Sequence, residues 1–169
     1  MPAFIALLRA VNVGGTGKLL MSELIDMAKA AGFARPRTCI ASGNLVFDSA
    51  LTEAQVKARL EASVARYAGK PVSVMVRTAE EMAAVLAANP FPGRAPNRTV
   101  VVFLDGPPAQ DWRAGLLAPD GEEAAAGTRE LYIHYGAGMA QSKFKLPAAT
   151  SGTARNINTV TRLAAMARE

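Results

Sequence analysis

Arg37-Thr38-Cys39-Ile40-Ala41-Ser42-Gly43-Asn44-Leu45-Val46-Phe47-Asp48 is the stretch on which the fold turns. Arg37 to Ala41 and Leu45 to Asp48 read as strands, and Ser42-Gly43-Asn44 between them is rich in residues that tolerate left-handed backbone angles. The pair therefore reads as a hairpin or near-hairpin. On its amino side, Ala3 to Ala10 is an apolar run of strand length and Asn12 to Lys18 is glycine-rich. Met21, Leu24, Ile25 and Ala28 then recur at helical spacing until Gly32. On its carboxyl side, Thr52 and Gln55 form a capping box ahead of a helical face of Val56, Leu60, Val64 and Tyr67. Gly69-Lys70-Pro71 ends that helix before a strand, Val72 to Arg77. The order βαββαβ is the split βαβ of ferredoxin-like folds, in which helices cover one face of an antiparallel sheet.

A second capping box, Thr78 with Glu81, opens a helix carrying Met82, Val85 and Leu86, and Asn89-Pro90-Phe91-Pro92-Gly93 must end it because proline cannot continue a helix. Beyond Arg98 the pattern predicts a strand at Thr99 to Leu104, a short helix around Trp112 to Leu117, strands near Glu122 to Ala126 and Glu130 to Tyr135, and a final helix. The expected class is α+β, with two ferredoxin-like α/β halves, βαββαβ and then βαββα-type, on largely antiparallel sheets. The expected division is a subdomain over residues 1–88 and a second over 89–169 that carries the last helix.

Half of the 169 residues are hydrophobic and 6% are aromatic, enough to bury a core as one domain or two small subdomains, which argues against disorder. A single cysteine, Cys39, excludes an internal disulfide framework; in an apolar strand pattern it reads as packing, and a reducing cytoplasm is the natural compartment. The amino-terminal apolar run is too short for a signal peptide and is interrupted by Arg9, and no stretch reaches the roughly 20 apolar residues of a membrane helix. The formal net charge of +5 favours anionic partners, but the cations are dispersed. Phe4, Phe33, Phe47, Phe103 and Tyr132 sit in apolar contexts, unlike the exposed aromatics on which single strands stack.

Gly152-Thr153-Ala154-Arg155-Asn156-Ile157-Asn158-Thr159-Val160 places an arginine, two asparagines and two hydroxyls at an expected helix start, a pattern suited to an anion. Ile157, Val160, Leu163, Ala164 and Ala167 form its apolar arc, with Arg155, Asn158, Thr159 and Arg162 opposite. The purely structural alternative makes Thr153 an N-cap and Arg155 a solvated residue of the first turn. Asn156 at the apolar edge needs partners from a neighbouring loop or a ligand. Asn12 to Lys18 half resembles a Walker A loop, yet asparagine stands where glycine is needed and Leu19 where the magnesium-binding hydroxyl belongs; the alternative is a plain glycine turn. His134 is the only histidine, no carboxylates have ligand spacing, and neither metal, cofactor nor triad chemistry is expected. Ser142-Lys143 adds a hydroxyl and an ammonium in a loop.

Four pieces in one order resemble the domain-of-unknown-function 1697 family of bacterial proteins: Leu8-Arg9-Ala10-Val11-Asn12-Val13-Gly14-Gly15 with Lys18 and Met21; Ser42-Gly43-Asn44 with Val46-Phe47; Asn89-Pro90-Phe91; and Ser142-Lys143 with Thr153 to Val160. The resemblance implies an α+β protein of two ferredoxin-like halves without an established activity. Two positions depart from the family pattern: Ala10 replaces a glycine and Ile157 a tryptophan, which is either a core plug or a stacking surface.

The expected site is positive and rich in donors, drawn from Arg9, Asn12, Gly14, Gly15, Lys18, Ser42, Gly43, Asn44, Ser142, Lys143, Arg155, Asn156, Asn158 and Thr159. The expected partner is a small phosphate- or carboxylate-bearing ligand, with Arg155 and Lys18 as charge partners. RNA or DNA binding and an enzyme using the same positive site are the alternatives, and the latter lacks a visible general base.

Overall fold

Every residue of strand β1 (Ala3–Leu8) after the first is buried, because the strand lies inside a sheet with apolar residues on both of its faces. The sheet order is β2 (Ala34–Thr38), β3 (Asn44–Asp48), β1, β4 (Val74–Thr78), and all three pairings are antiparallel. Helix α1 (Met21–Ala30) connects β1 to β2, and α2 (Glu53–Ala68) connects β3 to β4. This computed structural model describes residues 1–9, 21–39, 43–136 and 142–169.

Alternation puts Phe4, Ala6 and Leu8 on one face beside Leu45, Phe47, Val74 and Val76, where they pack with Leu24 and Ala28 of α1 and Val56, Leu60 and Val64 of α2. Each Val, Leu or Phe side chain among them withdrawn from water contributes about 1.5–3 kcal/mol. Phe33 stacks on Phe47 with ring centroids 4.4 Å apart. The capping box of α2 forms as the sequence predicts, Gln55 N donating to Thr52 Oγ1 at 3.2 Å and Thr52 N to Gln55 Oε1 at 3.0 Å. Gly69 closes the helix at φ 72°, a left-handed angle that glycine adopts without strain.

β2 begins three residues before the expected Arg37. Its sequence, Ala34-Arg35-Pro36-Arg37-Thr38, has no apolar alternation, and its pairing with β3 is broken by a bulge between Ala34 and Arg37 where Arg35 has φ 48°. An edge strand tolerates both a proline and a bulge.

The second sheet is β6 (Glu123–Ala126), β7 (Glu130–His134), β5 (Thr99–Phe103), β8 (Thr153–Asn156), again antiparallel. Val100, Val102, Leu104, Leu131, Ile133 and Leu146 form its core on one face. Helix α3 (Ala79–Ala87) follows β4, and helix α4 (Ile157–Met166) follows β8. The class is α+β, with four helices and two four-stranded antiparallel sheets among the described residues.

Two expected elements are different. Around Trp112 to Leu117 the chain makes successive turns in place of a helix, with Trp112 N bonded to Ala109 O, Ala114 N to Asp111 O and Leu116 N to Arg113 O. Gly115 at φ 78° interrupts the run, and Leu116 and Leu117 stay exposed, so no apolar face repays helix formation. Thr153 to Asn156 form a strand paired with β5, and the last helix starts only at Ile157. Thr153 is therefore not an N-cap, and Arg155 lies on a strand, not on the polar face of a helix.

The chain divides into two compact units, Met1–Ala83 with Arg162–Glu169, and Ala84–Thr161, whereas the Asn89 to Arg98 stretch suggested a division that kept all of α4 with the second half. Within the first unit, Arg37 Nη1 donates to Met166 O at 2.7 Å and Arg35 Nη2 to Glu169 O at 2.9 Å, so two arginines of β2 satisfy carbonyls at the end of α4 and just beyond it. Among the described residues, no helix is long and apolar enough to cross a membrane.

Candidate functional site

Helix α3 ends where Asn89 turns the chain: Asn89 Oδ1 accepts the Phe91 N–H at 3.0 Å, and Pro90 follows without an N–H to donate. Arg94 N then bonds to Phe91 O, Gly93 takes φ 78°, and a 3₁₀ turn at Pro96–Arg98 leads into β5. Opposite this segment is the start of α4. Asn156 is the residue that fixes it, its Oδ1 accepting Asn158 N at 2.8 Å and its Nδ2 donating to Asn97 O at 3.1 Å. One amide thus caps the helix and ties it to the 3₁₀ turn.

Between these elements, wholly within the second unit, lies a cavity of about 230 Å³ lined by Leu86, Asn89, Phe91, Gly93, Arg94, Pro96, Thr99, Ile157, Asn158 and Thr161. Its polar groups are unequally available. Thr99 Oγ1 is shared between Ala95 O at 3.3 Å and His134 Nδ1 at 3.0 Å, and Thr161 Oγ1 donates to Ile157 O at 2.8 Å. Asn89 Nδ2 and the Asn158 side-chain amide have no protein hydrogen bond among the described residues. Arg94 Nη2 pairs with Glu123 Oε2 at 2.7 Å, and its guanidinium carbon lies 6.0 Å from the centroid of the Phe91 ring.

Behind Phe91 is His134, with ring centroids 5.7 Å apart. Burial pushes the His134 pKa below its ordinary value, and the charge of Arg94 acts in the same direction. The imidazole is therefore neutral at pH 7, and it lies buried at the end of β7.

The expected site residues fall in both units. In the first, Leu8 N donates to Gly43 O and Arg9 N to Ser73 O, each at 2.9 Å, which puts Arg9 beside the turn at Gly43, whose φ is 75°. Asn44 is fully buried, and its Nδ2 donates to Cys39 O at 2.8 Å, closing the turn between β2 and β3. Asn12, Gly14, Gly15, Lys18 and Ser42 lie outside the described residues.

In the second unit, Ser142 Oγ donates to the buried carboxylate Glu122 Oε2 at 2.7 Å and accepts Phe144 N at 3.1 Å; the bond from Ser142 is the main reason the Glu122 pKa is lowered. Lys143 follows it in the loop. Arg155 pairs with Val101 in the strand register, on the sheet face opposite Asn156, and donates to Ala154 O at 2.9 Å. Burial lowers its pKa to about 10. Of the expected residues that are described, only Asn158 lines the cavity; Asn156 organises it, and Thr159 stands next in the first turn of α4.

Sequence reading missed Arg94, Asn89, Thr99 and Thr161 as wall residues. The signal for Asn89 was present in Asn89-Pro90-Phe91, but Arg94 stands within an exposed run, Pro92 to Arg98, with no pattern around it. Ile157, on the expected apolar arc, is buried and also forms part of the wall. Among the described residues, no group of three or more His, Cys, Asp or Glu could hold a metal ion.

The fold and cavity define an α+β protein of two antiparallel sheets with a small, mixed polar and apolar pocket at the start of its last helix. A family model described as "Protein of unknown function (DUF1697)" matches residues 1–132, and the chain belongs to that family. The solved structure of the conserved bacterial protein SP0830 from Streptococcus pneumoniae is similar to it, with a TM-score of 0.80, 25% identity and 98% of each chain covered. No curated protein matches the sequence.

Proposed function

We propose that this protein binds a small anionic ligand in the cavity at the start of α4, with Arg94 as the charge partner and Asn89 and Asn158 as hydrogen-bonding partners. The observation that carries the reading is the wall itself, where Arg94, Asn89 and Asn158 line a space of about 230 Å³ and the amide donors of the two asparagines have no protein partner among the described residues. Ligand sites are typically concave and largely apolar, with a few convergent polar groups, and drug-sized ligands occupy about 300–1,000 Å³, so this ligand is small. The ion pair of Arg94 with Glu123 does not prevent such use: side-chain exposures of 45% and 50% make it a surface pair. Such pairs are worth about 0–1 kcal/mol, so a ligand displaces Glu123 at little cost.

A thermal-shift screen of wild type and Arg94→Gln against sulfate, phosphate, acetate, benzoate and short RNA tests the proposal, because a ligand of the folded state alone raises the midpoint. A rise with a small anion that disappears in Arg94→Gln supports the cavity. A response to RNA only, or an anion response unchanged in Arg94→Gln, contradicts it.

A further inference from the structure

We infer that the cavity takes a monocarboxylate with an apolar body in preference to a phosphate, an inference that rests on its being an anion site. Charge counting carries the first step. Among the described residues Arg94 is the one cation in the wall, and it already faces Glu123 at 2.7 Å. The nearby Arg98 is turned elsewhere, its Nη1 donating to Gly136 O at 2.7 Å. His134, held by Thr99 and covered by Phe91, brings no charge at neutral pH or above. A carboxylate that takes Glu123's place on the guanidinium exchanges one monoanion for another and matches the planar fork with two parallel N–H bonds. A phosphate dianion adds a second charge for which the wall has no cation.

The rest of the wall carries the second step. Leu86, Phe91, Pro96 and Ile157 are four of its ten residues, and a ligand as small as acetate leaves them uncovered. An apolar group attached to the carboxylate fills that part of the space. Asn89 Nδ2 and the Asn158 amide then supply neutral donors to a carboxylate oxygen or to a polar substituent.

The experiment is calorimetric titration at pH 8 of 3-phenylpropionate, acetate and phenyl phosphate into wild type, Arg94→Gln and Glu123→Gln. A phosphate monoester, with its second pKa near about 6, is a dianion there. The expected result is binding of 3-phenylpropionate at least roughly tenfold tighter than acetate, the size of effect that burial of one apolar group gives, and tighter than phenyl phosphate, whose second charge meets no cation in the wall. Arg94→Gln should lose that binding, and Glu123→Gln, with the competing carboxylate neutralised, should strengthen it. Phenyl phosphate binding more tightly than 3-phenylpropionate overturns the inference but leaves the anion site standing, as do equal affinities for acetate and 3-phenylpropionate. Failure of every anion to bind in an Arg94-dependent way removes the anion site and the inference together.

Discussion

Asn156 and Asn97 are joined by a 3.1 Å hydrogen bond from the Asn156 amide to the Asn97 carbonyl, so the residue that caps α4 also holds the turn that closes the cavity. Replacing Asn156 by alanine removes both bonds and should cost about 1–2 kcal/mol, the range for loss of an N-cap, in urea unfolding. Asn156→Asp keeps the cap acceptor but not the donor to Asn97, and should lose less. Equal losses would mean that the cap contributes nothing and the bond to Asn97 carries the whole effect, whereas an Asn156→Asp variant as stable as wild type would mean that the cap alone matters and the turn is held by other contacts.

The fully buried Asn44 amide satisfies the Cys39 carbonyl across the turn between β2 and β3. Asn44→Ala leaves that carbonyl without its donor and should destabilise by about 1–3 kcal/mol. Chemical denaturation of the variant checks this; a change within error of wild type would show that water replaces the amide at no cost.

Gly152 enters β8 where a side chain does not fit. A Cβ there would stand 2.8 Å from Phe103 O and closer still to Val102 Cγ1, and the backbone oxygen cannot move without breaking the pairing of β5 with β8. Gly152→Ala should therefore cost about 1–3 kcal/mol by overpacking. A variant as stable as wild type would mean that β8 shifts freely.

Glu122 gives a prediction with a sign in pH. Its folded pKa is lowered, first by the bond from Ser142, so its contribution to stability is present above the ordinary carboxylate value of 4.5 and is lost as pH falls through the folded value. Ser142→Ala should be less stable than wild type near neutrality, and the gap should narrow as pH drops below that value. Unfolding curves from neutral to acid pH test it, and a gap of constant size would contradict the role of the carboxylate.

The α+β class and the first sheet were legible because their signals are local. The capping boxes at Thr52 and Thr78, the glycine at residue 69 and the alternation of Phe4, Ala6 and Leu8 each act over a few residues and agree with one another. β2 was misplaced because an edge strand with Pro36 and a bulge carries no apolar alternation. β8 was misread because Thr153 and the two asparagines resemble a cap, while its strand identity comes from pairing with β5, some fifty residues earlier. The site was legible only in part for the same reason. Asn156 and Asn158 stood out by composition, but Arg94 acquires meaning only when the turn after α3 brings it beside Phe91 and the start of α4.

The most direct test of the cavity as an anion site is NMR mapping of amide and side-chain shifts on titration with benzoate, since it reports where a ligand sits as well as whether it binds. Shifts concentrated on Asn89, Phe91, Arg94, Thr99, Asn158 and Thr161, with the Asn89 and Asn158 side-chain amides among the largest, are the predicted result. Shifts centred on Arg9, Gly43 and Asn44, or spread over the surface arginines without saturation, would contradict it.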